Sequence, residues 1–207
     1  MEMTITRGLA ELKLLDARIQ RTVADGAFVA VVVGEKPVRG FQSNEEFSRR
    51  AQASLQSAQD LIRRRNAIKA AIVVSNATTY ITIGGNRMTV AEAIERKRSI
   101  AYEEELLDTL RAQHKNAVQE MEQKNAEVKL RLDRLLEANF GKDAKAKDSE
   151  YDAIAKPFMA QNEAKLVDPV KVKSVIDTLT EEIETFKTEV DFVLSESNTL
   201  TRITVPD

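Results

Sequence analysis

The chain of 207 residues has no cysteine and no tryptophan, and only seven glycines and four prolines. Without cysteine there is no disulfide, no thiolate metal ligand and no thiol nucleophile. So little glycine and proline predicts long uninterrupted elements. Aromatic residues make up only 5 % of the chain, which leaves few large side chains for a wide core. Neither sign of charge prevails: 31 basic residues oppose 33 acidic ones for a net charge of −2, so no global field draws nucleic acid or an anionic membrane. No apolar run approaches the roughly 20 residues of a membrane span, and residues 1–21 lack the unbroken apolar stretch of a signal peptide. The expected compartment is the cytosol. What the chain does have is 43 % hydrophobic and 31 % charged residues, enough for folding.

The apolar residues recur with helical spacing. Thr4 or Thr6 can cap a first helix with a stripe of Ile5, Leu9, Leu12, Ile19 and Val23, in which Asp16 takes the one polar slot. Asp25-Gly26 stops it. Residues 28–33 are apolar and rich in β-branched side chains, and a turn at Gly34-Glu35-Lys36-Pro37 predicts a hairpin over 27–41. Ser43-Asn44-Glu45-Glu46 is a capping box that opens a second helix over 44–74, with the Ser43 hydroxyl on the amide of Glu46 and the carboxylate reaching back. Its stripe is Phe47, Ala51, Leu55, Ala58, Leu61, Ile62, Ile68 and Ile72. Residues 79–83 alternate like a strand, Gly84-Gly85-Asn86 turns, and Thr89-Val90-Ala91-Glu92 is a second capping box.

From Val90 to about Asn139 there is neither proline nor glycine, and apolar residues keep coiled-coil spacing. A helix of roughly 50 residues at about 1.5 Å each is about 75 Å long, which predicts an elongated molecule. A polar loop is expected over 140–149, then a helix over 150–166 kinked at Pro157. Asp168-Pro169 reads as a cap and first helical residue of the last helix. The expected class is mainly α. It is a single domain over 1–207, an elongated bundle of long antiparallel, coiled-coil-like helices with a small hairpin or sheet.

One internal echo stands out. Residues 75–83 and 197–205, Ser-Asn-Ala-Thr-Thr-Tyr-Ile-Thr-Ile and Ser-Asn-Thr-Leu-Thr-Arg-Ile-Thr-Val, share five identities and one Ile/Val pair, each after a long helix. They are expected to share one small sheet at the same pole, within the chain or between subunits.

Chemistry-bearing patterns are sparse. His114 is the only histidine, and Arg111 stands three residues before it, so the Glu-x-x-His pairs of a di-iron bundle are absent. His114 and Asn125 read as polar residues that fix register within a stripe. Glu103-Glu104-Glu105 reads as a solvated face, and Arg63-Arg64-Arg65 and Arg96-Lys97-Arg98 as solvated faces or intersubunit ion pairs, since aromatic residues for base stacking are missing. No phosphate loop and no Gly-x-Ser-x-Gly elbow occurs. The expectation is no enzyme, no cofactor, no metal, no nucleic acid and no membrane. Packing and assembly are assigned to Leu107, Leu110, His114, Asn125, Val128, Leu132 and Leu135 on the third helix. The last helix contributes Ile176, Leu179, Ile183 and Phe186, and the strands Ile81, Ile83, Ile203 and Val205. The expected partner is a second copy of the chain, giving a homo-oligomer.

In residues 9–100, the segments Gly34-Glu35-Lys36-Pro37, Asp60-Leu61-Ile62-Arg63-Arg64-Arg65-Asn66 and Met88-Thr89-Val90-Ala91-Glu92-Ala93-Ile94-Glu95-Arg96-Lys97 resemble the septicolysin-like helical family. That resemblance implies a membrane-active, toxin-like helical protein. The long extension after Ile100 and the strand over 201–205 depart from that family. Val167-Asp168-Pro169, Glu189-Val190-Asp191-Phe192 and residues 197–205 are similar to proteins encoded in tailed-phage structural gene sets. That second resemblance implies a bacteriophage structural protein in the virion, made in the host cytoplasm and touching other virion proteins. Neither resemblance supplies catalytic residues.

Overall fold

The computed structural model describes residues 1–141 and 148–206. The chain is mainly α, with 75 % of its described residues helical. Strand β1 (Glu2–Thr4) runs straight into helix α1 (Ile5–Ala24), and helix α2 (Asn44–Thr78) leads into a hairpin of β2 (Tyr80–Ile83) and β3 (Asn86–Thr89). Next come α3 (Val90–Phe140), α4 (Asp148–Asn162), α5 (Val172–Leu200) and β4 (Arg202–Thr204). Instead of the single domain expected, the chain divides into two compact units. One joins Met1–Arg98 to Thr185–Asp207 and the other is Ser99–Glu184.

Local sequence explains the element ends. Thr4 is the cap of α1, its hydroxyl accepting from Arg7 N. At α3 the capping box closes in both directions, with Glu92 N donating to Thr89 Oγ1 and Thr89 N donating to Glu92 Oε2. At α2 the Ser43 hydroxyl takes the Glu46 amide as expected, but the Glu46 carboxylate reaches one residue further back, to Gln42 N. The Gly84-Gly85 turn has positive φ at both residues, 55° and 78°, the geometry that matches a two-residue hairpin to strand twist. Helix α2 runs to Thr78, past the predicted end at Val74.

Two predicted features are corrected, and a third lies largely outside the described residues. No strand occurs over 27–41, so the expected hairpin is absent. The polar loop expected over 140–149 falls largely outside the described residues, and Phe140 lies in α3. Helix α4 contains Pro157 but ends at Asn162, and α5 starts at Val172 rather than at Pro169. The reason lies at the junction. Lys171 takes a left-handed φ of 55°, and the Asp168 carboxylate accepts from Val172 N, so Asp168 caps a helix that starts later than Pro169.

The echo also resolves differently. Its two copies lie in separate two-stranded sheets: β2 pairs antiparallel with β3, whereas β4 pairs antiparallel with β1. Side chains alternate as a half-buried sheet requires, with Ile81, Ile83, Ile203 and Val205 buried and Tyr80 and Thr204 exposed. In the first unit the core joins Met3, Ile5, Leu12 and Leu15 to Ile68 and Ile72 of α2 and to Ile203 and Val205. Each fully buried aliphatic side chain contributes roughly 1.5–3 kcal/mol.

These pairings reveal a longer repeat than the sequence echo. Met3-Thr4-Ile5 at the β1–α1 junction corresponds to Met88-Thr89-Val90 at the β3–α3 junction. Ile5 N donates to Thr201 O at 3.0 Å, and Val90 N donates to Thr79 O at 2.9 Å. Buried Gly8 corresponds to buried Ala93. Continued backwards, the register that aligns the two echo copies sets Ile68 of α2 against Val190 of α5, both buried. The first unit is therefore built from two strand–helix, helix–strand halves, β1–α1 with α2–β2 and β3 and the start of α3 with the end of α5 and β4, which exchange strands.

Candidate functional site

Ionic contacts locate the charged runs first. Arg64 pairs with Glu11 at 3.0 Å and Arg65 with Asp16, so the basic run of α2 clamps α1 within one chain, while Arg63 pairs with Asp60 of its own helix. Asp60 is thereby held below its ordinary carboxylate range, chiefly by the Arg63 hydrogen bond. Arg63 thus lies on a solvated face as expected, whereas the pairs of Arg64 and Arg65 correct that reading for the rest of the run. In Arg96-Lys97-Arg98, the Arg96 guanidinium lies 4.6 Å from the Phe186 ring centroid and Lys97 pairs with Asp191. Asp16, the polar slot predicted in the first stripe, owes its place to Arg65.

The residues assigned to packing fall into three groups. Leu107, Val128, Leu132, Ile183, Phe186, Ile81, Ile83, Ile203 and Val205 are buried. Leu110, His114, Asn125, Ile176 and Leu179 are half-buried, and Leu135 is exposed at 37 %. Asn125 does more than occupy a stripe. Its Nδ2 donates to Ala164 O at 3.0 Å and its Oδ1 accepts from Ala164 N at 2.8 Å. Both polar groups of one residue in the α4–α5 connection are thus satisfied by one amide. A grammar of stripes has no signal for this contact, because the partner is backbone in an irregular segment.

Among the described residues, no group of three or more His, Cys, Asp or Glu is placed to hold a metal ion. No helix of the described residues is long and apolar enough to cross a membrane. The features left without an internal explanation are apolar and extended. Residues 28–33 read Phe-Val-Ala-Val-Val-Val, and Val29, Val31 and Val33 are 87 %, 89 % and 79 % exposed, against 41 % for Phe28 and 44 % for Val32. The alternation is that of a strand, yet among the described residues none of 28–33 makes a backbone hydrogen bond. The hairpin expected over 27–41 is not formed, since none of these residues is in a strand.

The second feature is a groove of about 610 Å³ between α2 and β4. Its helical wall carries Ala67, Ala70, Ala71 and Val74, and its other wall is formed by residues from Thr201 to Thr204. In the two-stranded β1–β4 sheet, Thr201, Ile203 and Val205 turn their backbone groups toward β1, as the bonds from Ile5 N to Thr201 O and from Val205 N to Met1 O require. Arg202 and Thr204 then turn theirs outward, so β4 presents an open edge. In α5, the positions that correspond to Ala67, Ala70, Ala71 and Val74 hold Glu189, Phe192, Val193 and Glu196. Glu189 spends its carboxylate on Gly84 N of the hairpin at 2.8 Å. One half of the repeat carries large side chains where the other carries alanine.

No family model, no curated protein and no solved structure matches this chain.

Proposed function

We propose that this chain is a non-catalytic structural component that assembles with copies of itself within a bacteriophage particle. The observation that carries the reading is the exposed apolar segment 28–33 together with the open edge of β4. Isolated surface valines need no explanation, but a contiguous β-branched run with unpaired backbone marks a surface that gains by being covered. The half-buried positions Leu110, Ile176 and Leu179 add apolar surface on α3 and α5 that a partner helix could cover further. The virion assignment draws on the similarity of Val167-Asp168-Pro169 and residues 197–205 to tailed-phage structural proteins.

The test is the solution mass and shape of the purified protein, by light scattering coupled to size exclusion with small-angle scattering on the same peak. A defined oligomer is the expected result. A monomer at all concentrations would overturn the proposal.

The septicolysin-like, membrane-active reading draws on the same exposed segment. Six residues fall short of the roughly 9–11 of a membrane-spanning strand, so this reading needs leakage of dye-loaded vesicles by the purified chain, which the assembly reading does not predict.

A further inference from the structure

We infer that residues 28–33 of one copy add as a strand to the open edge of β4 in a second copy, seated in the groove between β4 and α2. The inference rests on the self-association proposed above and names the surfaces that carry it.

The dimensions agree. Six extended residues at about 3.3 Å each span about 20 Å. On α2 the groove runs from Ala67 to Thr78, twelve residues including both ends, which at about 1.5 Å each is about 18 Å. The hydrogen-bonding needs agree as well. The segment brings backbone groups without protein partners, and β4 offers the outward groups of Arg202 and Thr204, so a third strand converts two unsatisfied edges into one ladder. The apolar faces match in turn: the protruding face of Val29, Val31 and Val33 is suited to a floor of Ala67, Ala70 and Ala71, which leaves room for β-branched side chains.

The internal repeat supplies an independent argument for the groove. At corresponding positions on α5, Phe192 and Glu189 replace Ala70 and Ala67, and Glu189 ties down the β2–β3 turn. The α2 side carries alanine at these positions and stands beside an open strand edge. A second copy is the occupant because the chain itself carries a segment of matching length, hydrogen-bonding state and apolar face. Reciprocal exchange closes a two-fold dimer, and one-way exchange builds a chain of subunits.

The absence of cysteine makes the test direct, since any introduced pair reports a single contact. Thr204→Cys protein is mixed under mild oxidation with protein carrying Ala30→Cys, Val31→Cys or Val32→Cys, which scans the register. In parallel, light scattering is run on the wild type, on Val31→Lys and on Ala70→Phe, the last of which installs the residue found at the corresponding α5 position. Circular dichroism confirms that these surface variants stay helical. The expected result is a covalent heterodimer from at least one mixture and a shift to monomer mass in both Val31→Lys and Ala70→Phe. An oligomer that persists in both variants with no cross-link would overturn this inference and leave the self-association intact. A wild type that is monomeric throughout would overturn both. A cross-link that forms within the Val31→Cys/Thr204→Cys chain but never between mixed chains would overturn the second copy as occupant, placing the segment in its own groove.

Discussion

The two halves of the first unit are built to one plan and finished differently. On the α3–α5 side, the Phe186 ring lies under Arg96, Lys97 pairs with Asp191, and Glu189 holds the turn at Gly84. On the α1–α2 side, the core of Ile5, Ile68 and Ile203 is equally buried, and Arg64 and Arg65 clamp α1. There, however, small residues stand beside a free strand edge. Equal cores with unequal surfaces teach that the plan itself does not dictate alanine along this face, since the corresponding α5 positions carry Glu189 and Phe192. The difference is therefore where a selected interaction would reside.

The comparison can be broken most forcefully at the cores. Phe186→Ala should cost about 3–5 kcal/mol by removing a fully buried ring, somewhat more than Ile68→Ala at its roughly 2–5 kcal/mol. Denaturant unfolding of both variants measures this. A small loss from either would mean that the two halves are not equally packed. In the second unit, Leu132→Asp places a charge at a buried position and should cost several kcal/mol.

Asn125→Ala comes next. It leaves the Ala164 N–H and C=O without their partner and should cost about 1–3 kcal/mol, together with faster amide exchange at Ala164. Gly8→Ala is smaller and opposite in sign. Its new methyl would meet Ile203 and Ile72 at 3.4 Å, ordinary contact, and the corresponding residue is already Ala93. A gain of up to about 1 kcal/mol in thermal unfolding is expected from helix propensity.

The finest contrast is in pH. At α3, the Glu92 carboxylate is held below its ordinary value of 4.5, first by the Thr89 N–H and then by the Thr89 hydroxyl. A depressed pKa stabilises the folded state fully above the unfolded value, and that contribution is lost as pH falls through the folded value. At α1 the corresponding third helical position is Arg7, so no carboxylate from that position reaches back to the cap. Amide shifts followed by NMR between pH 6 and about 3 should therefore move at Thr89 and stay still at Thr4.

Much of this architecture was legible because local chemistry decides it. The capping boxes at Ser43 and Thr89 and the proline-free stretch after Val90 located helix starts and a 51-residue α3 without tertiary knowledge. Pairing was not legible. The echo marked β2 and β4 correctly as strands, but partner choice is a tertiary matter, and β4 pairs with a three-residue strand that runs directly into α1. Met-Glu-Met-Thr carries no turn signal to separate it from the helix that follows. Residues 28–33 failed for the reverse reason, since strong β propensity met no partner within the chain. The ion pairs of Arg64 and Arg65 and the bidentate amide of Asn125 join residues far apart in sequence, which periodicity does not encode.

The most direct test is the mass of the wild-type chain in solution, measured by light scattering across a concentration series. The account predicts a mass at a multiple of the 23.2 kDa monomer. A peak that holds at 23.2 kDa at every concentration would contradict it.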